Sequence, residues 1–495
     1  LIGLENDLMM ETTSQPLHDS LERFSPLLTQ DEIQQIHALQ EQPLPTGIRL
    51  NGLKVDPQKA IQDLSARYGW QVKPIPFCEN GWTIHKADTS PGMTIEHRMG
   101  QYYLQDAASM VPVSLYETNR PHPIILDMAA SPGGKTTHLV DRTSDKGFIL
   151  ANDASKGRIS ALRSVLAAWG GMNFAITNYP GEAFGTWYPE SFDLVLLDAP
   201  CSMENLRPTE NRPLRETTMD ERLRLQERQI GLLTSGLQAL KGGGQMVYAT
   251  CSLAPEEDEA VIDAVMKKFP DSIEILDVVN KVGFKLPGLT QFKGETFHPD
   301  LQHALRLWPH LTGMSGFFCA LLTKNKSIPV NPQSPPRRDF SLTDLEKADQ
   351  ALGDQVFTQI DTNYGLDLQA VLGPYQVELY QRHEQLFLIP LGYTDQFISL
   401  PYEYIGMPLG RLIDKDLEPS HEFISRFGRR FTQGMIQIDD KFIDQWIAGR
   451  DIRHPDTPLT PQGQYLLVLD SAGRNLGLGK LLPTRLRNML PRQVI

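Results

Sequence analysis

Cysteine is scarce in this chain, four residues in 495, and none of the four forms a CxxC pair or joins a histidine cluster at zinc-ligand spacing. The scarcity argues against a disulfide framework and for a reducing, cytoplasmic setting. The spacing argues against dithiol redox chemistry, and no metal is expected. Long apolar runs are missing too, so no segment reads as a membrane span. The first residues lack the basic start and apolar centre of a targeting segment. Positive charge is in deficit: 47 Lys and Arg face 60 Asp and Glu, for a net charge of −13. This argues against a basic coat for nucleic acid, although a local basic face on an acidic chain would suffice. No internal repeat is visible, and nothing specifies an oligomer, so a monomer is the expectation.

What is present falls into blocks. The length suggests roughly two to four domains. Residues 1–44 are polar with scattered Leu and Phe and read as helices. In the clearest one, Asp31 is the expected N-cap, and Ile33, Ile36 and Leu39 follow at helical spacing before Pro43. Beyond Thr46, β-like runs at Ile48-Arg49-Leu50-Asn51 and Gly81-Trp82-Thr83-Ile84 flank a helical pattern from Pro57 to Tyr68. Residues 1–94 are therefore read as helices followed by a small α/β module. Residues 95–325 alternate strand and helix, the pattern of a doubly wound α/β sheet. A Pro-, Asn- and Ser-rich stretch within residues 326–339 reads as a linker. Residues 340–495 carry short strands and Gly/Pro turns expected to build one or two mixed domains. Their last stretch, from Ser471 to Ile495, holds five basic residues (Arg474, Lys480, Arg485, Arg487, Arg492) and no acidic one. Charge alone leaves a solvated tail and a phosphate-binding face equally open.

Chemistry is concentrated where two apolar runs each end in a cysteine. Cys201 in Asp198-Ala199-Pro200-Cys201-Ser202 follows the run from Phe192 to Leu197, and Cys251 in Thr250-Cys251-Ser252 follows the run from Gln245 to Ala249. Both thiols therefore leave C-terminal strand ends, the edge at which open parallel sheets bind ligands. On neighbouring strands, roughly 5 Å apart, both sulfurs would face one small reactant. Two thiols on one reactant suggest covalent attack followed by release. Cys78 and Cys319 lack this context and read as small buried hydrophobes.

A second signal is the turn Ala129-Ala130-Ser131-Pro132-Gly133-Gly134-Lys135 between the strand from Pro123 to Asp127 and a following helix. Small residues there let backbone amides approach a ligand at a helix N-terminus. The next strand, Phe148 to Asn152, ends at Asp153, about where a ribose-binding acid is expected. Together they point to a nucleoside ligand. Gly134-Lys135-Thr136 also resembles the end of a P-loop, and Leu194 to Asp198 a magnesium-binding strand, so a nucleoside triphosphatase is the rival. It ranks lower, because Ala129 stands where a P-loop requires glycine and Pro132 removes an amide donor.

These residues, in this order, resemble the Nop/Sun (Fmu) family of RNA cytosine-C5 methyltransferases. The likeness extends to Arg49-Leu50-Asn51-Gly52-Leu53-Lys54 and to the stretch from Gly100 to Met110. Near the C-terminus, Gly477-Leu478-Gly479-Lys480 and the stretch from Arg487 to Arg492 are similar to the end of the bacterial RsmF branch. The resemblance implies a Rossmann-like class I methyltransferase domain using S-adenosyl-L-methionine, a small N-terminal α/β module and a C-terminal PUA-like RNA-binding domain. It implies RNA as the partner, with small-subunit rRNA, free or in the assembling subunit, ahead of tRNA. Cys251 would be the nucleophile at cytosine C6, making C5 able to take a methyl group. Cys201 would be needed for release, and Asp198 would hold the base edge near N3. Ala129, Ala130, Ser131, Pro132, Gly133, Gly134 and Lys135 would surround the cofactor, bordered by Asp198, with Asp153 on its ribose and Arg158 supporting that edge. Lys135 is also a candidate cation for ionising Cys251.

The chain departs from the family in two places. Pro180 in Tyr179-Pro180-Gly181 cannot supply the carboxylate that the family usually places near adenine, so weaker cofactor binding is expected. Met203-Glu204-Asn205 stands where Gly-Glu-Gly is common, and losing both glycines is expected to alter that loop. The alternative of a different class is a noncatalytic RNA-binding ribosome-assembly factor, which would bind RNA and transfer no methyl group.

Overall fold

The computed structural model describes residues 21, 23–117, 120–207, 217–337, 345–453 and 464–491. Before residue 45 it contains the helix Gln30–Gln40, whose N-cap is Thr29 rather than Asp31. The Thr29 hydroxyl accepts from the Glu32 amide at 3.3 Å while the Glu32 carboxylate accepts from the Thr29 amide at 2.7 Å. Asp31, already inside the first turn, has no way to make this reciprocal pair. Asp56 and the left-handed Gly69 (φ 64°) delimit the next helix, Pro57–Tyr68. Its Ile61 and Leu64 pack with Ile48, Trp70 and Trp82. They cover an antiparallel sheet of β1 (Thr46–Leu50), β2 (Gln71–Pro74), β3 (Gly81–Lys86) and β4 (Tyr102–Leu104), in the order β2-β3-β1-β4.

Five parallel strands form the centre: β5 (Ile124–Asp127), β6 (Phe148–Asn152), β7 (Phe174–Thr177), β8 (Phe192–Asp198) and β9 (Leu240–Thr250), ordered β7-β6-β5-β8-β9. Residues 192–197 of β8 are all buried, the near-continuous apolar pattern of a strand covered on both faces. Chain order reverses between β5 and β8, so the C-terminal ends of these two strands form the topological switch point. There follow β10 (Ile273–Leu276), a small hairpin of β11 (Gln291–Phe292) and β12 (Glu295–Thr296), β13 (Leu305–Leu307) and β14 (Phe317–Lys324). β14 lies antiparallel between β9 and β10.

The C-terminal part builds two five-stranded sheets. β15 (Glu346–Lys347), β16 (Val377–Arg382) and β17 (Gln385–Pro390) are followed by β18 (Tyr404–Ile405), which leaves the first sheet and pairs antiparallel with β7. The first sheet is completed by β19 (Met407–Ile413) and β20 (Asp416–Pro419). Phe397 stacks on Phe148 and Phe192 with centroids 5.6 and 5.3 Å away, so this part is anchored in the central core. The second sheet holds β21 (Met435–Gln437), β22 (Ile452–Arg453), β23 (Tyr465–Leu469), β24 (Asn475–Leu482) and β25 (Arg485–Asn488), ordered β21-β23-β24-β25-β22.

The basic run after Ser471 is not a free stripe. Arg474 binds Asp470 and reaches Glu96 of the N-terminal module at 3.4 Å. Lys480 donates to the Tyr465 hydroxyl at 2.9 Å, and Arg485 pairs with Asp451 at 3.3 Å. Arg492 lies outside the described residues. Acids absent from the local sequence are brought in from other elements.

Lys54 ties three parts of the molecule together. Its buried ammonium donates to the Met99 carbonyl (2.8 Å), the Ala168 carbonyl (2.6 Å) and the Ser425 hydroxyl (2.6 Å). Burial, helped by Arg426, pushes its pKa down to about 7 from 10.5. Between these two values the unfolded chain binds the proton more tightly than the folded one, so stability contributed here rises with pH and is lowest below the folded value. The stability of the protein relative to Lys54→Met is expected to rise by on the order of 1 kcal/mol per unit from about pH 7 to pH 9, read from denaturant midpoints. A difference flat with pH would contradict this account.

Candidate active site

β8 and β9 are adjacent and parallel, with Asp198 opposite Ala249, so the loops leaving them arrive at one place. The Cys201 and Cys251 sulfurs are 3.3 Å apart and both half-buried, whereas Cys78 and Cys319 are buried elsewhere. The hydrogen bond with Cys251, then burial, pushes the Cys201 thiol well above its usual range. Two thiolates at this separation would repel, so the pair carries one at a time.

Lys135 emerges from the first turn of the helix Gly134–Arg142 and donates to Asp198 Oδ2 at 2.7 Å. Burial works against its charge, but Asp198 and then Cys251 outweigh it and hold the pKa above the ordinary lysine value. Lys135 is therefore an ammonium at neutral pH with a thiol in its field. Asp127, at the end of β5, is buried. Its Oδ2 accepts from the Thr136 hydroxyl at 2.7 Å, and its Oδ1 has no partner among the described residues. Burial pushes its pKa up to about 7.

The turn from Ala129 to Lys135 is shaped by close packing. Gly133 takes φ 115°, and a Cβ there would lie 2.9 Å from Val165; one on Gly134 would lie 2.8 Å from the Tyr103 ring. Asp153 accepts from the Ser131 amide at 3.2 Å and the Ser155 amide at 2.9 Å. Arg158 stands 3.6 Å from Asp153 and donates to the Ser131 carbonyl, which places it in the support of this edge rather than free on its helix. Ala129, Ala130, Ser131, Pro132, Gly134, Lys135, Asp153, Arg158, Asp198 and both thiols line one cavity of about 510 Å³, a size usual for small-molecule sites. Gly133 is not among its lining residues, and neither is Pro180, although Gly181 is.

The loop after Cys201 accommodates its missing glycine directly. Met203 itself takes φ 63°, at a cost of about 1–2 kcal/mol for a residue with a Cβ. The backbone is held by the Leu253 amide, which donates to the Glu204 carbonyl at 3.0 Å. Several supporting residues were not singled out in the sequence. Buried Glu257 accepts from the Ser202 amide at 2.8 Å and the Ser252 hydroxyl at 3.1 Å, joining the residues that follow the two thiols. Gln229 donates to the Pro200 carbonyl at 2.9 Å and to Glu257 at 3.2 Å. Behind them Arg306 reaches Glu259 at 2.9 Å, Asp258 at 3.3 Å and the Leu253 carbonyl at 2.8 Å. The run from Glu256 to Glu259 looks like a solvated helix start; the available signal was its place one turn beyond Thr250-Cys251-Ser252.

Residues 115–323 match the family model of the 16S rRNA methyltransferase RsmB/F, and residues 18–107 match that of the N-terminal domain of 16S rRNA methyltransferase RsmF. The chain is 30% identical over 467 residues to the ribosomal RNA small subunit methyltransferase F of Aeromonas salmonicida, covering 92% of this chain and 91% of that relative. The chain belongs to the 16S rRNA methyltransferase RsmB/F family. Another RsmB/F relative, the ribosomal RNA small subunit methyltransferase F of Klebsiella pneumoniae, is 32% identical over 460 residues, 92% of this chain and 91% of its own. Among solved structures, a methyltransferase homolog from Pyrococcus horikoshii matches with a TM-score of 0.55 and 32% identity, over 63% of this chain and 98% of that one. The central sheet is thus that of an RsmB/F methyltransferase.

Proposed function

We propose that this RsmB/F protein transfers a methyl group from S-adenosyl-L-methionine to C5 of a cytosine in small-subunit rRNA. The observation that carries this reading is the pair of thiols 3.3 Å apart beside the Lys135–Asp198 pair, in a cavity that continues to Asp153. The choice of rRNA rests on what its relatives are named for. The residues fit the cofactor: small side chains at Ala129 and Ala130 leave room along the turn, and the Asp153 carboxylate at the end of β6 suits ribose hydroxyls. When bound, the cofactor supplies an electrophilic methyl group.

The chain's own residues do the rest. Cys251, ionised beside the Lys135 ammonium, adds to C6, and the C5–C6 π pair shifts so that C5 becomes nucleophilic. Asp198 holds the base edge near N3. After C5 takes the methyl group its proton passes to solvent water, the C–H electron pair re-forms the C5–C6 double bond, and the C6–S bond breaks with its electrons returning to Cys251. Cys201 stands at the sulfur that must leave. The second C-terminal sheet, as the PUA-like domain, and the N-terminal module are assigned to RNA contact.

With rRNA and S-adenosyl-L-methionine, Cys201→Ala is expected to accumulate a covalent RNA–protein adduct, seen as an RNA-dependent shift on a denaturing gel and lost in the Cys201/Cys251 double variant. No shift with rRNA, tRNA or intact subunits would favour the noncatalytic RNA-binding reading. Pro180→Asp, which adds the family's missing acceptor, is expected to tighten cofactor binding about three- to tenfold by calorimetry, the worth of one hydrogen bond. No change would mean that this loop lies out of reach of the adenine.

A further inference from the structure

We propose that Arg23 is a positioning residue of the reaction: one guanidinium holds the loops of both thiols and fixes their spacing. The segment before residue 45 then belongs to the catalytic machinery, beyond any part in RNA contact. Arg23 Nη1 donates to Glu204, three residues beyond Cys201, at 2.6 Å. Its Nη2 donates to both oxygens of Glu256, five residues beyond Cys251, at 2.9 and 2.7 Å. Glu204 is only 3% exposed and is shared with Arg222 at 2.8 Å. A planar fork with several donors can serve two carboxylates at once, which a lysine point charge does less well.

Apolar packing reinforces the clamp. Leu21, Phe24, Leu28 and Ile36 of the N-terminal segment cluster with Leu206 of one thiol loop and Leu253 of the other, all buried. Glu257 joins the two loops on the inner side, and Arg23 closes them on the outer side. Addition by one thiol and release assisted by another require both sulfurs at a single base, and small displacements of positioned groups cost rate steeply.

This inference rests on the roles proposed above for the two thiols, and two measurements separate the claims. The first reads geometry alone. Against glutathione disulfide, Cys201 and Cys251 lose two electrons and two protons to form a disulfide while the oxidant is reduced to two glutathione molecules. The equilibrium gives the effective concentration of one thiol at the other. Arg23→Ala is expected to lower it at least about tenfold, with partial rescue in Arg23→Lys; an unchanged value overturns the proposal. The second reads turnover with rRNA and S-adenosyl-L-methionine. Arg23→Ala is expected to lower kcat, leave KM for rRNA unchanged and raise the fraction of protein trapped as adduct toward that of Cys201→Ala. A parallel fall in product and adduct, following a lowered unfolding midpoint, marks a merely structural role and overturns it. If Cys201→Ala traps no adduct while Arg23→Ala still lowers the effective concentration, the positioning stands and the thiol roles fail.

Discussion

Cys251→Ala is expected to lower methyl transfer by more than about three orders of magnitude while rRNA binding changes by less than about twofold, because a thiol adds little to the phosphate attraction that dominates RNA affinity. No neighbouring group can take over the attack. Cys201, 3.3 Å away, has its thiol pushed well above its usual range by its bond to Cys251 and then by burial. With Cys251 replaced, Cys201 keeps the burial but is displaced from C6 by the width of the pair. Lys135 is an ammonium locked on Asp198, so it has no free electron pair. Incorporation of labelled methyl groups into rRNA, measured beside a filter-binding isotherm, distinguishes loss of chemistry from loss of binding. Substantial transfer by the variant would remove Cys251 from the nucleophile's role.

Arg306→Leu is expected to destabilise the central domain by about 3–5 kcal/mol, the usual consequence of leaving a buried charge unpaired. Arg306, Asp258 and Glu259 are all 0% exposed. Burial pushes the Asp258 carboxyl well above its usual range, and Arg306 is the leading influence against that push. A carboxyl whose folded pKa is raised binds its proton more tightly folded than unfolded, so stability falls as pH rises between the two values. Without Arg306 the folded value rises further and the fall extends to higher pH, so the variant's deficit is expected to be larger at about pH 8 than at about pH 5. Arg306→Lys keeps the charge without the fork and is expected to lose less. Equal deficits at both pH values would mean that packing, not charge, is what Arg306 contributes.

Much of the architecture was legible because local rules and tertiary packing agree. Asp56, Pro57 and Gly69 cap the helix Pro57–Tyr68, which has the bounds that its periodicity predicts, and Gly170 ends the helix Lys156–Trp169. Apolar runs such as Phe192–Asp198 announce strands covered on both faces. The Asp31 expectation failed because a threonine and a glutamate three residues apart outcompete a single acid for the same amides. The short C-terminal strands gave no sign that Tyr404–Ile405 would join the central sheet beside β7, since edge pairing depends on which surface the chain reaches rather than on its own pattern.

At the site, the thiols, Asp198, Lys135 and Asp153 could be singled out because each follows a strand end or a tight turn, and the chain's local pattern fixes where such ends fall. Their supports could not. The acids from Glu256 to Glu259 look solvated until Arg306 arrives from 47 residues away, and Arg23 meets Glu204 across 181 positions. The basic run after Ser471 looks free until Asp451 and Glu96 meet it. By itself the sequence determined which residues are candidates for the chemistry and at which end of which strand they stand, because strand and helix periodicity is a local property. The tertiary structure alone decided which charges are buried and what pairs with them, because ion pairing depends on distance in space and desolvation on everything packed around the charge.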